Sequence, residues 1–305
     1  MLRKIFLITL LIGLITACAP QATPTAVATP LTFTDGLGHE ITLNGPAQHI
    51  ISLAPSNTEI LFAIGAGDQV VGRDALSDFP EAAKNVADIG STFDALNTEQ
   101  IVSLKPDLVL AAEINTPEQV KQLEDLGLTV YYLKNPLTLE EMYGNLEIVA
   151  QLTGHEQEAA TLIESLKARV AAVDEKIAPI SSRPNVFYEL DGTDPAKPYT
   201  AGKGTFITQL IDRAGGHNIA ADLDGYPQMS LEQVVAADPE FIILGDARYG
   251  VSPESIAQRP GWENLSAVKN GHVLPFNDDL VSRPGPRLVD ALEELAKLLR
   301  PELFQ

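Results

Sequence analysis

HEQEAATLIESLKARVAAVDEKIA, residues 155–178, is the longest uninterrupted helical pattern in the 305-residue chain. Ala159, Leu162, Leu166, Val170, Val173 and Ile177 fall at steps of three or four and predict one apolar stripe. A helix over this stretch would be about 36 Å long, and Pro179 is expected to end it. On both sides the chain alternates short β-rich runs with helical patterns. Before it, strands are expected at 50–54, 70–73, 108–112 and 129–133, with helices near 57–66, 97–104, 116–126 and 138–152. After it come strands at 186–190, 241–245 and 272–276, then a closing helix near 286–299. Such alternation predicts βαβ units around parallel sheets. The expected fold class is α/β, with two α/β lobes of mainly parallel sheets joined by a single long rigid helix.

An internal repeat points the same way. Leu96-Asn97-Thr98-Glu99-Gln100-Ile101-Val102 precedes Lys105-Pro106-Asp107 and then the strand-like Leu108-Val109-Leu110. Met229-Ser230-Leu231-Glu232-Gln233-Val234-Val235 precedes Asp238-Pro239-Glu240 and then Phe241-Ile242-Ile243. In both copies the same spacing separates the Glu-Gln pair from the proline. Each reads as a helix capped by Asn97 or Thr98, or by Ser230, followed by a proline-led turn into a buried strand. Two related lobes would produce this pattern, and so would two generic helix–turn–strand units.

At the N-terminus, Arg3 and Lys4 precede an apolar run from Ile5 to Ala17. Thirteen helical residues reach about 20 Å, short of the roughly 30 Å hydrocarbon core. Residues 1–17 therefore predict a secretory signal peptide rather than a membrane-spanning helix. The run ends in Ile15-Thr16-Ala17-Cys18, which resembles a bacterial lipobox, and Cys18 is the only cysteine in the chain. Acylation there would make the protein a lipoprotein outside the cytoplasmic membrane. Residues 18–33, rich in Pro, Thr and Ala, are expected to form the lipidated tether. Lys+Arg total 21 against Asp+Glu 41, a net charge of −20. That charge argues against nucleic-acid partners and leaves the lipid anchor as the membrane contact. One cysteine excludes an internal disulfide framework and every multi-cysteine metal site.

Enzyme signatures are missing: no GxSxG, HExxH, CxxC or GxGxxG occurs. Gly202-Lys203-Gly204-Thr205 resembles part of a phosphate loop, but Lys197 stands where its leading glycine belongs. The five histidines are scattered and no two share a helix face, so no metal site and no intrinsic cofactor are expected. In open α/β sheets ligands lie at the carboxyl ends of strands, which directs attention to the loops there. Phe93, Tyr199, Tyr226, Asp279 and Arg283 are the candidate ligand-binding residues, although each taken singly could be a packing residue. A hydrolase using Asp278 and Asp279 is a remote alternative without a companion motif.

Ile51-Ser52-Leu53-Ala54-Pro55-Ser56-Asn57-Thr58-Glu59, Leu104-Lys105-Pro106-Asp107-Leu108-Val109, Arg259-Pro260-Gly261-Trp262 and Ser282-Arg283-Pro284-Gly285-Pro286-Arg287 together resemble the cobalamin- and iron-chelate-binding lipoproteins of bacterial ABC importers. The match runs from about residue 47 to 300 and is nearest to the cobalamin-binding branch. The resemblance implies a type III periplasmic binding protein, with lobes at 34–140 and 181–305 and a helical connector at 141–180. It implies a ligand held between the lobes: cobalamin, or else haem or a ferric siderophore. Phe93, Tyr199, Tyr226, Asp279 and Arg283 fall on positions that contact the corrinoid in that family, whereas Leu76 and Ala112 replace aromatics. The resemblance also puts Glu99 and Glu232 where the family docks on arginines of a permease dimer that works with ATPase subunits.

Overall fold

The computed structural model describes residues 30–93 and 95–304. The signal segment, Cys18 and the tether as far as residue 29 lie outside the described residues. Strands β1 (Leu31–Thr34) and β2 (Glu40–Leu43) form an antiparallel hairpin. Residues 31–33, expected in the tether, are therefore paired. The alternation Leu31-Thr32-Phe33-Thr34 suits a strand, and Phe33 sets its ring edge-on to Tyr131 at 6.4 Å.

The first βα series is β3 (Ile50–Ser52), α1 (Pro55–Ala63), β4 (Val70–Arg73), β5 (Ala87–Asp88), α2 (Thr98–Ser103), β6 (Leu108–Ala112), α3 (Pro117–Asp125) and β7 (Val130–Leu133). These strands make a parallel sheet in the order β5-β4-β3-β6-β7. Helix α1 starts two residues before the pattern predicts because Pro55, with its fixed φ, occupies the first turn. Then come α4 (Leu139–Thr153) and α5 (Glu156–Ile177), separated by Gly154 in the left-handed region at φ 79°.

The second series is β8 (Asn185–Glu189), α6 (Phe206–Arg213), β9 (His217–Asn218), α7 (Leu231–Ala237), β10 (Phe241–Leu244), α8 (Pro253–Ala257), α9 (Ser266–Asn270), β11 (Val273–Pro275), α10 (Asp279–Ser282) and α11 (Leu288–Leu299). Its parallel sheet runs β11-β10-β8-β9.

Alternation along each strand sorts side chains between two helix layers. Leu108 and Leu110 of β6 enter one cluster, Val109 and Ala111 the other. The first cluster continues through α4, α5 and α11 to Val186, Tyr188 and Ile243 of the second sheet. The inner faces of both lobes thus share one core, bridged by α5. Its buried stripe carries Ile163 where Leu162 is expected, because Leu162 lies at the edge of the stripe. Beside the stripe, Arg169 grips Asp290 at 2.6 Å and Glu293 at 2.8 Å on α11.

The repeat is structural. Asn97 and Ser230 each cap their helix by accepting the N–H of the third helical residue, Gln100 and Gln233. Lys105 (φ 52°) and Asp238 (φ 40°) are the non-glycine residues with positive φ among the described residues, and each directly precedes the repeat proline. The acids that follow act alike: Asp107 accepts from the backbone of Gln48 and His49, and Glu240 from that of Asn185. Both units feed the strand next to the first strand of their sheet, β6 beside β3 and β10 beside β8.

Candidate functional site

The carboxyl ends of both sheets face a cleft that contains a cavity of about 290 Å³. Its N-lobe wall is built by Ser56 at the start of α1, Leu76 after β4, Phe93 after β5, and Ala112 and Ile114 at the end of β6. Its C-lobe wall comprises Tyr249 after β10 and Asp278, Asp279 and Arg283 after β11. A smaller compartment of about 270 Å³ adjoins it, with Tyr249 common to both. It is formed by the loop after β8, residues 190–193, together with Asp246 and Val251. A larger hollow of about 480 Å³ lies between the end of α5 and α6, away from the strand ends.

Arg283 crosses from the C-lobe wall to the N-lobe. It contacts Asp78 at 2.6 Å, Asp279 at 3.3 Å and Glu59 at 3.4 Å. Arg287 donates its Nε to Glu59 at 2.7 Å and lies 4.1 Å from the Phe79 ring. Arg248 pairs with Asp279. Glu59 is 2 % exposed, and its burial raises its carboxyl above the ordinary value against the pull of both arginines. For Asp78, partial burial pushes up, but the Arg283 hydrogen bond and charge prevail and hold it low. Asp278 is raised by burial, while the Tyr188 hydroxyl donates to it at 2.6 Å and pulls the other way.

The five expected ligand contacts separate into two groups. Phe93, Asp279 and Arg283 meet in the larger cavity, and the Phe93 ring is 66 % exposed. Leu76 and Ala112 stand on the same wall. Tyr226, 55 % exposed, does not line the cavity; burial of its hydroxyl end and the Asp278 charge raise it. Tyr199 pairs its backbone with Asp191 and Gln228 beside the smaller compartment. Arg283 is engaged by carboxylates on three sides rather than presented free. Asp279 is half-buried in the first turn of α10 at the cavity wall.

Tyr249 is missing from the sequence-derived set, yet its ring is 80 % exposed at the junction of the two compartments. Its signal was the short Gly245–Gly250 turn at the end of an expected strand. Behind the compartment, the Arg259 guanidinium holds Glu189 through two hydrogen bonds and lies 5.0 Å from the Trp262 ring. Burial pushes the Glu189 carboxyl up to about 7, with Arg259 opposing and Asp246 adding to the rise. Among the described residues no three His, Cys, Asp or Glu gather to hold a metal, and no helix is long and apolar enough to cross a membrane. Glu99 and Glu232 are exposed in the first turns of α2 and α7.

Two α/β lobes sharing a core, with a cleft at their strand ends, define a binding protein of the type III periplasmic kind. The chain belongs to the periplasmic binding protein family, which it matches over residues 50–280. It is 36 % identical to the uncharacterized ABC transporter substrate-binding lipoprotein YvrC of Bacillus subtilis, over 90 % of this chain and 87 % of that one. The vitamin B12 binding protein BtuF of Vibrio cholerae superposes with a TM-score of 0.71 at 31 % identity, covering 85 % of this chain and 99 % of that one. The heme-binding protein RhuT of Roseiflexus gives 0.74 at 30 % identity, covering 84 % and 99 %.

Proposed function

We propose that the protein is the lipid-anchored substrate-binding component of an ABC importer and that it captures cobalamin between its lobes for delivery to the permease. The observation carrying the choice of ligand is the charge of the cleft. Asp191, Asp246, Asp278 and Asp279 line it, and both Arg283, which lines it too, and Arg248, which pairs with the wall residue Asp279, are already engaged by carboxylates. Haem propionates and siderophore carboxylates would meet this wall without a free guanidinium, whereas a corrinoid presents a rim of neutral amides. Titrating the purified domain with cyanocobalamin, haemin and a ferric siderophore tests the reading; tight binding of either alternative in place of cyanocobalamin rejects it.

Phe93→Ala removes the exposed ring of the N-lobe wall. Affinity is expected to fall by about 1–3 kcal/mol, or roughly 5- to 150-fold, in the same titration. Unchanged affinity would move the plate of the ligand off that wall.

Glu99 and Glu232 are proposed to dock on arginines of the permease dimer. Their place in the structural repeat supports this, since two equivalent charges suit a two-fold partner. Alanine at either position should leave cyanocobalamin affinity within a few-fold of wild type while uptake into permease vesicles falls. A desolvated docking pair is worth about 2–5 kcal/mol on truncation. Uptake unaffected in the double variant would leave them as helix-start charges that complement the dipole.

A further inference from the structure

The smaller compartment differs from the larger one in the hydrogen bonds it has left to offer. Its loop N–H groups are taken: Gly192 donates to Asp246 Oδ2 at 2.9 Å and Thr193 to Asp191 Oδ1 at 2.8 Å. Asp246 is 6 % exposed, its Oδ1 has no hydrogen-bond partner, and its side chain lies beside the Glu189 carboxyl. The Thr193 hydrogen bonds hold Asp191 below the ordinary carboxylate range, so it stays ionised. Among the described residues no cation lines the space: the nearby Arg259 serves Glu189 and the Gly192 carbonyl, and Arg248 serves Asp279. The compartment therefore offers chiefly acceptors and negative charge, and the Thr193 and Tyr249 hydroxyls can act either way.

We propose that this compartment is a subsite that reads uncharged hydrogen-bond donors on the edge of the ligand, primary amides in a corrinoid, and turns away carboxylates. An amide NH₂ donates to the acceptor capacity that Asp191 and Asp246 have left beyond their bonds from Thr193 and Gly192. A carboxylate at the same point would set acceptor against acceptor and charge against charge. The Tyr249 ring, shared by both compartments, gives the geometry: a plate lying against it in the larger cavity turns its edge into the smaller one. The assignment rests on the corrinoid reading above.

The test compares cobinamide, whose rim carries amides, with cobyrinic acid, whose rim carries carboxylates. Measurements are made at about pH 8, where Glu189, with its value of about 7, holds little proton to lend to Asp246. Wild type is expected to prefer cobinamide by about tenfold or more, and Asp191→Asn to shrink that preference to about threefold or less. Asp191 is exposed, so this variant keeps the fold even where Asp246→Asn does not. Equal binding of the two corrinoids by wild type, or a preference unchanged in Asp191→Asn, overturns the subsite. Should neither corrinoid bind, the corrinoid reading fails by itself, and haemin against its bis-amide then decides the subsite. In that case stronger haemin binding by Asp191→Asn upholds it, and no change overturns it.

Discussion

Glu59→Ala is expected to destabilise the protein by about 3–5 kcal/mol, more than any single change to the cleft surface. Glu59 sits on α1 of the first lobe, yet its partners, Arg287 and Arg283, come from the segment between α10 and α11 of the second. All three side chains are largely withdrawn from water. Truncation would strand Arg287 with only the Phe79 ring beside it, and Arg283 would lean on Asp78 and Asp279 alone. Breaking a buried pair from one side is costly because the remaining charge stays desolvated. Replacing both members with apolar residues, Glu59→Leu with Arg287→Met, should recover much of the loss. Chemical unfolding of the three proteins reads this directly. A loss below about 1 kcal/mol for Glu59→Ala would mean that the arginines readily find water or other acids.

That contact also bears on how the lobes are held. Helix α5 bridges them on one side through the shared core, and the Glu59 cluster ties them again at the base of the cleft. Two ties at separate points resist a hinge opening that either alone would permit. Ligand capture is then best served by a cleft already close to its final shape, which lowers the ordering cost of binding.

Much of this was legible because periodicity reports burial. The strands at 70–73 and 108–112 appear with the bounds read from the sequence, the latter because a buried parallel strand is a continuous apolar run. The long helix was visible for the same reason. The hairpin at 31–43 was hidden because its first strand lies against a proline-rich stretch and is only half-buried. Helix α6 follows a loop with two glycines, whose local signal outweighed the apolar spacing of Phe206, Ile207, Leu210 and Ile211. For the site, the strand-end rule found Phe93, Asp279 and Arg283 but not Tyr249. No pattern foretells that a tyrosine in a short turn keeps its ring in the cleft. Partners were illegible as well: Arg283 looks free in one dimension, and only the fold brings Asp78 and Glu59, more than two hundred residues away, against it.

Glu189 should make stability fall as pH rises through a window that few surface acids would affect. Its carboxyl is raised to about 7 from the ordinary 4.5, first by burial and then by Asp246, with Arg259 opposing. Between those values the folded protein keeps a proton that the unfolded chain has released. The folded state therefore binds more protons, and unfolding free energy declines with increasing pH. The contribution is fully present below about pH 4.5 and is gone once pH passes the folded value; its size is on the order of 3 kcal/mol. Other acids titrate in the same range, so the useful quantity is a difference between two proteins. Glu189→Gln keeps the shape and hydrogen-bonding atoms of the protonated acid but cannot ionise. Its stability relative to wild type should therefore improve from about pH 4.5 and level off above about pH 7, whatever constant offset the lost Arg259 pairing adds. Parallel curves for the two proteins across that window would show that Arg259 keeps Glu189 ionised throughout, and that no proton is shared beneath the compartment formed by Asp246 and Tyr249.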